Sequence, residues 1–137
     1  FPQHAALIDA YRDRFEETLP HPIPGTHEIV RRLAARGVPL YALTNFGAEF
    51  WARSRRGWPI FDLFADVVVS GEERVAKPNP AIFAIAERRF GRVPGALFFT
   101  DDNPANVAAA NARGWQAHLF DSAAGLEADL VRAGLLG

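Results

Sequence analysis

The chain contains no cysteine among its 137 residues. That removes disulfides, thiolate catalysis and cysteine-based zinc sites at once, and it fits a reducing cytoplasm. No apolar stretch approaches the roughly 20 residues that a membrane span requires. The start also lacks the basic, apolar, small-residue pattern of a secretory signal. Like charges form no run: Lys and Arg number 15 against 16 Asp and Glu, a net charge of -1. Neither nucleic acid nor an anionic membrane is therefore expected as partner, and any anion must be bound locally. G-x-x-x-x-G-K-[ST] and G-x-G-x-x-G are both missing, which argues against the common nucleotide-binding frames. No G-x-S-x-G elbow surrounds Ser54, Ser70 or Ser122. His4, His21, His27 and His118 show no metal-ligand spacing and read as surface or loop residues. The first residue is Phe1 rather than Met, from which an upstream segment is expected.

What is present is 49% hydrophobic residues, the balance of one globular domain with an ordinary core. From His4 to about Leu19, the residues Ala5, Leu7, Ile8, Tyr11 and Phe15 recur at helical spacing and predict an amphipathic helix. Pro20, Pro22 and Pro24 before Gly25 predict a stiff connector, because alternate prolines forbid helix and central strand alike. Thr26 then caps a helix facing inward through Ile29, Val30 and Leu33, and Gly37 ends it. Val38 to Leu43 reads as a buried strand. A helix from about Ala48 to Arg55 and a β-branched strand over Asp66 to Val69 follow. Asn79 with Pro80 opens a helix to about Phe90. Ala96 to Phe99 is the next strand, Asn103 with Pro104 opens a helix closed by Gly114, Gln116 to Phe120 is a last strand, and Ser122 to Ala133 a last helix. Apolar strands alternating with helices predict an α/β fold, a Rossmann-like parallel sheet covered on both faces.

In such sheets ligands bind beyond the carboxyl ends of the strands. Three polar clusters fall there: Thr44 with Asn45, Lys77 before Pro78, and Thr100, Asp101, Asp102 and Asn103. A hydroxyl, an amide, a cation and two carboxylates suit a phosphoryl group with a hard cation, since magnesium favours carboxylate oxygens and phosphate favours Lys and N–H donors. Each element also has a plainer reading. Thr44 and Asn45 could cap the following helix, Asn103 could simply start one, and Lys77 could be a solvated loop lysine. Asp101 and Asp102 are the clearest signal, because adjacent like charges at the end of a buried strand are costly without compensation. Phe46, Phe50, Trp51 and Trp58 form an aromatic patch that reads as core or interface packing. With Phe61 and Phe64, Trp51 and Trp58 would offer a contact surface if exposed.

The order and context of these clusters resemble the haloacid dehalogenase superfamily, in its phosphatase-like subgroup. Val38-Pro39-Leu40-Tyr41-Ala42-Leu43-Thr44-Asn45 is similar to the family's second motif, Val75 to Phe83 around Lys77 to its third, and Leu97 to Gly114 to its acidic fourth. The resemblance covers roughly Ile23 to Phe120. It implies a phosphatase acting on a small phosphorylated metabolite through an aspartyl-phosphate intermediate. Thr44, Lys77 and Asp101 are then the catalytic set, Thr44, Asn45 and Lys77 bind the substrate phosphoryl group, and Asp102 ligates Mg2+. Where many members carry another fourth-motif acid, this chain has Asn106. The family's first motif, a strand ending in D-x-D that supplies the nucleophile, is missing, so the nucleophile is expected upstream of Phe1. On this reading residues 1–22 are the last helix of an inserted cap with its connector, and 23–137 are the core. The first, central strand is then absent, and its two neighbours should stand about 10 Å apart, twice the normal spacing. A metal-independent 2-haloacid dehalogenase and a catalytically inactive binding domain are the alternative readings.

Overall fold

The structure, a computed structural model, describes the backbone of residues 5–8 and all of residues 25–137. Among the described residues, five parallel strands form one sheet in the order β3-β2-β1-β4-β5. They are β1 (Ala5–Ile8), β2 (Leu40–Thr44), β3 (Asp66–Val69), β4 (Leu97–Asp101) and β5 (Gln116–Leu119). The helices are α1 (Thr26–Ala35), α2 (Ala48–Ser54), α3 (Ser70–Glu73), α4 (Pro80–Phe90), α5 (Pro104–Ala112) and α6 (Ala123–Arg132). Among the described residues, no helix is long and apolar enough to cross a membrane.

The expected helix from His4 to Leu19 is corrected over Ala5–Ile8, which form the central strand. β1 pairs with β2 through Ala6↔Leu40 and Leu7↔Tyr41, and with β4 from Ala5↔Leu97 to Ile8↔Thr100. β2 and β4 are thus separated by one strand, and the position expected to be empty is filled by the chain's own residues. A short apolar run has no decisive period, and a slot flanked by two unpaired ladders satisfies more backbone groups with a strand than with a helix. The assignment of 1–22 to a cap-end helix and connector therefore gives way over these four residues. Its remainder, 1–4 and 9–22, lies outside the described residues.

Alternation along the inner strands explains why both faces are covered. Leu40 and Ala42 of β2 and Phe98 of β4 face one layer, which holds Ile29, Val30 and Leu33 of α1 and Leu126 and Leu130 of α6. Tyr41, Leu43, Leu97 and Phe99 face the other, which holds Ile82, Phe83, Ala86 and Phe90 of α4 and Ala110 of α5. Trp51, Trp58 and Phe61 belong to the first layer and are at most 8% exposed, and Phe64 packs against them, so the contact surface considered above is core. Asn79 accepts from Ala81 N–H and Asn103 from Ala105 N–H, each followed by a proline at the first helical position. Thr26 does not cap α1: the cap is Gly25 at φ 82°, where a Cβ would stand 3.0 Å from Ala123 Cβ, and Thr26 is the first buried helical residue.

The loop after β2 and the start of α3, directly after β3, are stitched together. Gly71 N–H donates to Phe46 O at 2.9 Å, and Ser70 Oγ donates to the same carbonyl at 3.2 Å. A Cβ on Gly71 would stand 2.4 Å from Ala48 N and 2.7 Å from Phe46 O, so only glycine permits this approach. In Gly71→Ala the added methyl must push the loops away from each other. We expect it to lower unfolding free energy by about 1–3 kcal/mol, measured by urea denaturation.

Candidate active site

The carboxyl ends of β2 and β4 are joined by a buried cation from neither strand. Lys77, on the loop leading to α4, is 5% exposed. Its Nζ donates to Leu43 O at 2.9 Å and to Asp101 Oδ2 at 2.8 Å. The Lys77 backbone is clasped by Asn45, whose Oδ1 accepts from Lys77 N–H at 3.1 Å and whose Nδ2 donates to Lys77 O at 3.2 Å. Asn45 and the residue before it do not cap α2, whose cap position is Gly47 and which has no side-chain cap. The amide instead fixes where the lysine enters.

Asp101 is fully buried and accepts several hydrogen bonds. Besides Lys77, Asn106 Nδ2 donates to Oδ2 at 3.1 Å and Asn103 N–H donates to Oδ1 at 2.8 Å. The strand reaches further than expected, to Asp101, whose backbone remains in register with Leu119 of β5. The side chain tolerates that burial because a cation and two N–H donors replace its water. Asn106 is itself buried, and among the described residues its Oδ1 has no hydrogen-bond partner.

Thr44, Lys77 and Asp101 thus meet at one end of the sheet, with Asn45 between the first two. Thr44 closes β2 and is 3% exposed, directly after the carbonyl that receives the Lys77 ammonium. Asp102 is half-buried at the rim, and its charge acts on Lys77. Burial pulls the Lys77 pKa down to about 8, against the opposing pull of Asp101 and Asp102. Among the described residues no three His, Asp or Glu side chains group as a metal cage. Asp102 nonetheless fits magnesium in kind, because that ion commonly takes one or two protein carboxylates and completes its shell with water and phosphate oxygens. The sequence reading did not anticipate Ser70 and Gly71, which hold the loop carrying Lys77 against β2. The available signal was a Ser-Gly pair immediately after a β-branched strand.

The depressed pKa of Lys77 has a definite sign in stability. Between pH 8 and the ordinary value of 10.5 the unfolded chain binds a proton that the folded chain does not. Its penalty is therefore complete below pH 8 and relieved as pH rises toward 10.5. In magnesium-free buffer, the unfolding free energy of the wild type minus that of Lys77→Met should increase from pH 8 to pH 10 in urea titrations. A difference that stays constant or falls counts against the burial.

A family model described as haloacid dehalogenase-like hydrolase matches residues 2–114. A probable pseudouridine-5'-phosphatase of Drosophila melanogaster is 34% identical over 101 residues, which cover 69% of this chain and 43% of that protein. A solved protein of Corynebacterium glutamicum superposes with a TM-score of 0.72 at 22% identity, over 97% of this chain and 94% of that one, a likeness of fold. A HAD-family enzyme of Bacteroides thetaiotaomicron, solved with magnesium and inorganic phosphate, gives a TM-score of 0.62 at 26% identity over 71% of this chain and 52% of that one. The chain spans half or less of the length of the curated relatives it matches. Since the family match extends over most of the residues and the all-parallel sheet agrees with it, the chain belongs to the haloacid dehalogenase-like hydrolase family.

Proposed function

We propose that the protein is a magnesium-dependent phosphatase of a small phosphorylated metabolite, working in the cytoplasm through an aspartyl-phosphate intermediate. The observation that carries this reading is the buried Lys77–Asp101 pair at the mouth of the sheet, 2.8 Å apart. A lysine held there by a carboxylate and a carbonyl keeps its charge fixed beside an incoming anion, so no reorganisation is needed when charge moves. The Thr44 hydroxyl donates to a phosphoryl oxygen, with Asn45 beside it. Lys77 neutralises both the attacking carboxylate and the phosphate. Asp101 is a positioning residue that orients Lys77. Asp102 would hold magnesium, which when bound neutralises charge on the phosphoryl oxygens.

In the first step a carboxylate oxygen bonds to phosphorus, the ester P–O bond breaks, and the leaving oxygen takes a proton. Water then attacks the acyl phosphate, releasing inorganic phosphate and restoring the carboxylate. The proposed nucleophile is an aspartate preceding Phe1, as the family resemblance implies. The acidic pair Asp101 and Asp102 favours phosphate over an organic halide.

The test is release of product from 4-nitrophenyl phosphate and of chloride from 2-chloropropionate, each with magnesium or with EDTA. The full-length protein should hydrolyse only the phosphate and only with magnesium, and Asp102→Asn should cost at least about tenfold in kcat/KM. Residues 1–137 alone should be inactive. Metal-independent halide release would sink the phosphatase reading. Turnover by residues 1–137 that Asp9→Asn abolishes would move the nucleophile to Asp9, the residue that follows β1 in the sequence.

A further inference from the structure

Beside Lys77 lies a cleft of about 380 Å³ between the loops after β2 and β3. Its walls include Asn45, Gly47, Ser70 and Arg74. Asn45 is also the residue that clasps the Lys77 backbone, so the cleft adjoins the candidate phosphoryl site through that side chain. Among the described residues, Arg74 is the one charged residue in its lining.

Two observations single out this arginine. Arg74 is the only non-glycine residue at positive φ among the described residues, at 61°. A long side chain there costs roughly 1 kcal/mol against glycine, yet the position carries a guanidinium rather than the residue its backbone prefers. The acids beside it do not neutralise it. The Glu73 carboxylate is turned to Arg89 at 3.0 Å, and Glu72 is exposed outside the cleft lining. Among the described residues the Arg74 side chain has no ion-pair or hydrogen-bond partner. The stitched loops fix the cleft's other wall, because Gly71 and Ser70 both bond to Phe46 O.

We propose that Arg74 is a specificity-determining residue that receives a carboxylate on the substrate, making phosphorylated carboxylic acids the preferred class. This rests on the phosphatase reading, with the phosphoryl group at Lys77 and the remainder of a small substrate reaching into the cleft. The guanidinium fork matches a planar carboxylate by two parallel hydrogen bonds, which a point charge or a hydroxyl does not reproduce. The volume is that of a small-molecule site rather than a groove for a polymer.

The probes are phosphoglycolate and ethyl phosphate, a pair differing in the carboxylate. Arg74→Gly removes the guanidinium while keeping the left-handed backbone, so loss of folding is not its expected result. In the full-length protein with magnesium, the ratio of kcat/KM for phosphoglycolate to that for ethyl phosphate should fall about tenfold in Arg74→Gly, the worth of one charge-assisted interaction. Arg74→Lys should restore some of it. Dissociation constants for both probes, from NMR titration, give the same ratio independently of turnover. An unchanged ratio overturns the role of Arg74 and leaves the phosphatase reading standing. A ratio of dissociation constants that falls as expected, with no turnover of either probe, overturns the phosphatase reading and keeps the anion site. Binding of neither probe overturns both.

Discussion

A charged amine buried from solvent, held between a strand carbonyl and a carboxylate, is the constraint on which the rest of this molecule turns. Lys77 and Asp101 have no side-chain exposure, and they come from segments 24 residues apart. Desolvating both ions costs several kcal/mol, which the pair recovers only if its geometry is kept. Everything around it keeps that geometry. Asn45 fixes the lysine backbone, Leu43 O accepts another hydrogen bond from the ammonium, and Asn103 and Asn106 satisfy the carboxylate. Such an arrangement contributes little to stability over an apolar pair, so its presence at the mouth of the sheet is better explained by what it does to an anion.

The same constraint links fold to chemistry. Parallel strands bring Thr44 and Asp101 to the same end because β2 and β4 both flank the central position and run the same way. Lys77 must then cross from the loop after β3 to bridge them, which requires that loop to lie close on the one after β2. Gly71 and Ser70 provide the closeness. The cleft bounded by Arg74 is what remains open between the two loops. Away from this end the bracing is of ordinary kinds. Glu87 accepts from Arg113 Nε and Nη2 and from Trp115 Nε1, tying α4 to the turn before β5. The Arg113 hydrogen bonds hold the Glu87 carboxyl below the usual carboxylate range.

Much of this was legible in the residues. Asn-Pro pairs at 79–80 and 103–104 announce helix starts through local chemistry, and the caps are where that chemistry puts them. Apolar runs over 40–43 and 97–99 announce strands covered on both faces, and the polar residues that follow them fall at one end by topology alone. Less was legible where long-range partners decide. Ala5–Ile8 carry spacing compatible with a helix, yet their ladder is set by two strands far away in sequence. The burial of Trp51 and Trp58 depends on short helical turns at 55–57 and 59–63 that fold the aromatics inward. Asn45 read as a phosphate neighbour, and its grip on the Lys77 backbone could not be seen without the loop's path. The left-handed backbone of Arg74 has no signature in composition, because arginine is not a residue that announces it.

The central claim is that Lys77 and Asp101 act as one unit. A double-mutant cycle of Lys77→Met, Asp101→Leu and the pair, followed by urea denaturation at pH 7, measures it directly. The account predicts that each single change costs about 3–5 kcal/mol by stranding a buried charge, and that the double variant is more stable than either. Strictly additive losses would show two independent residues and contradict the site as described.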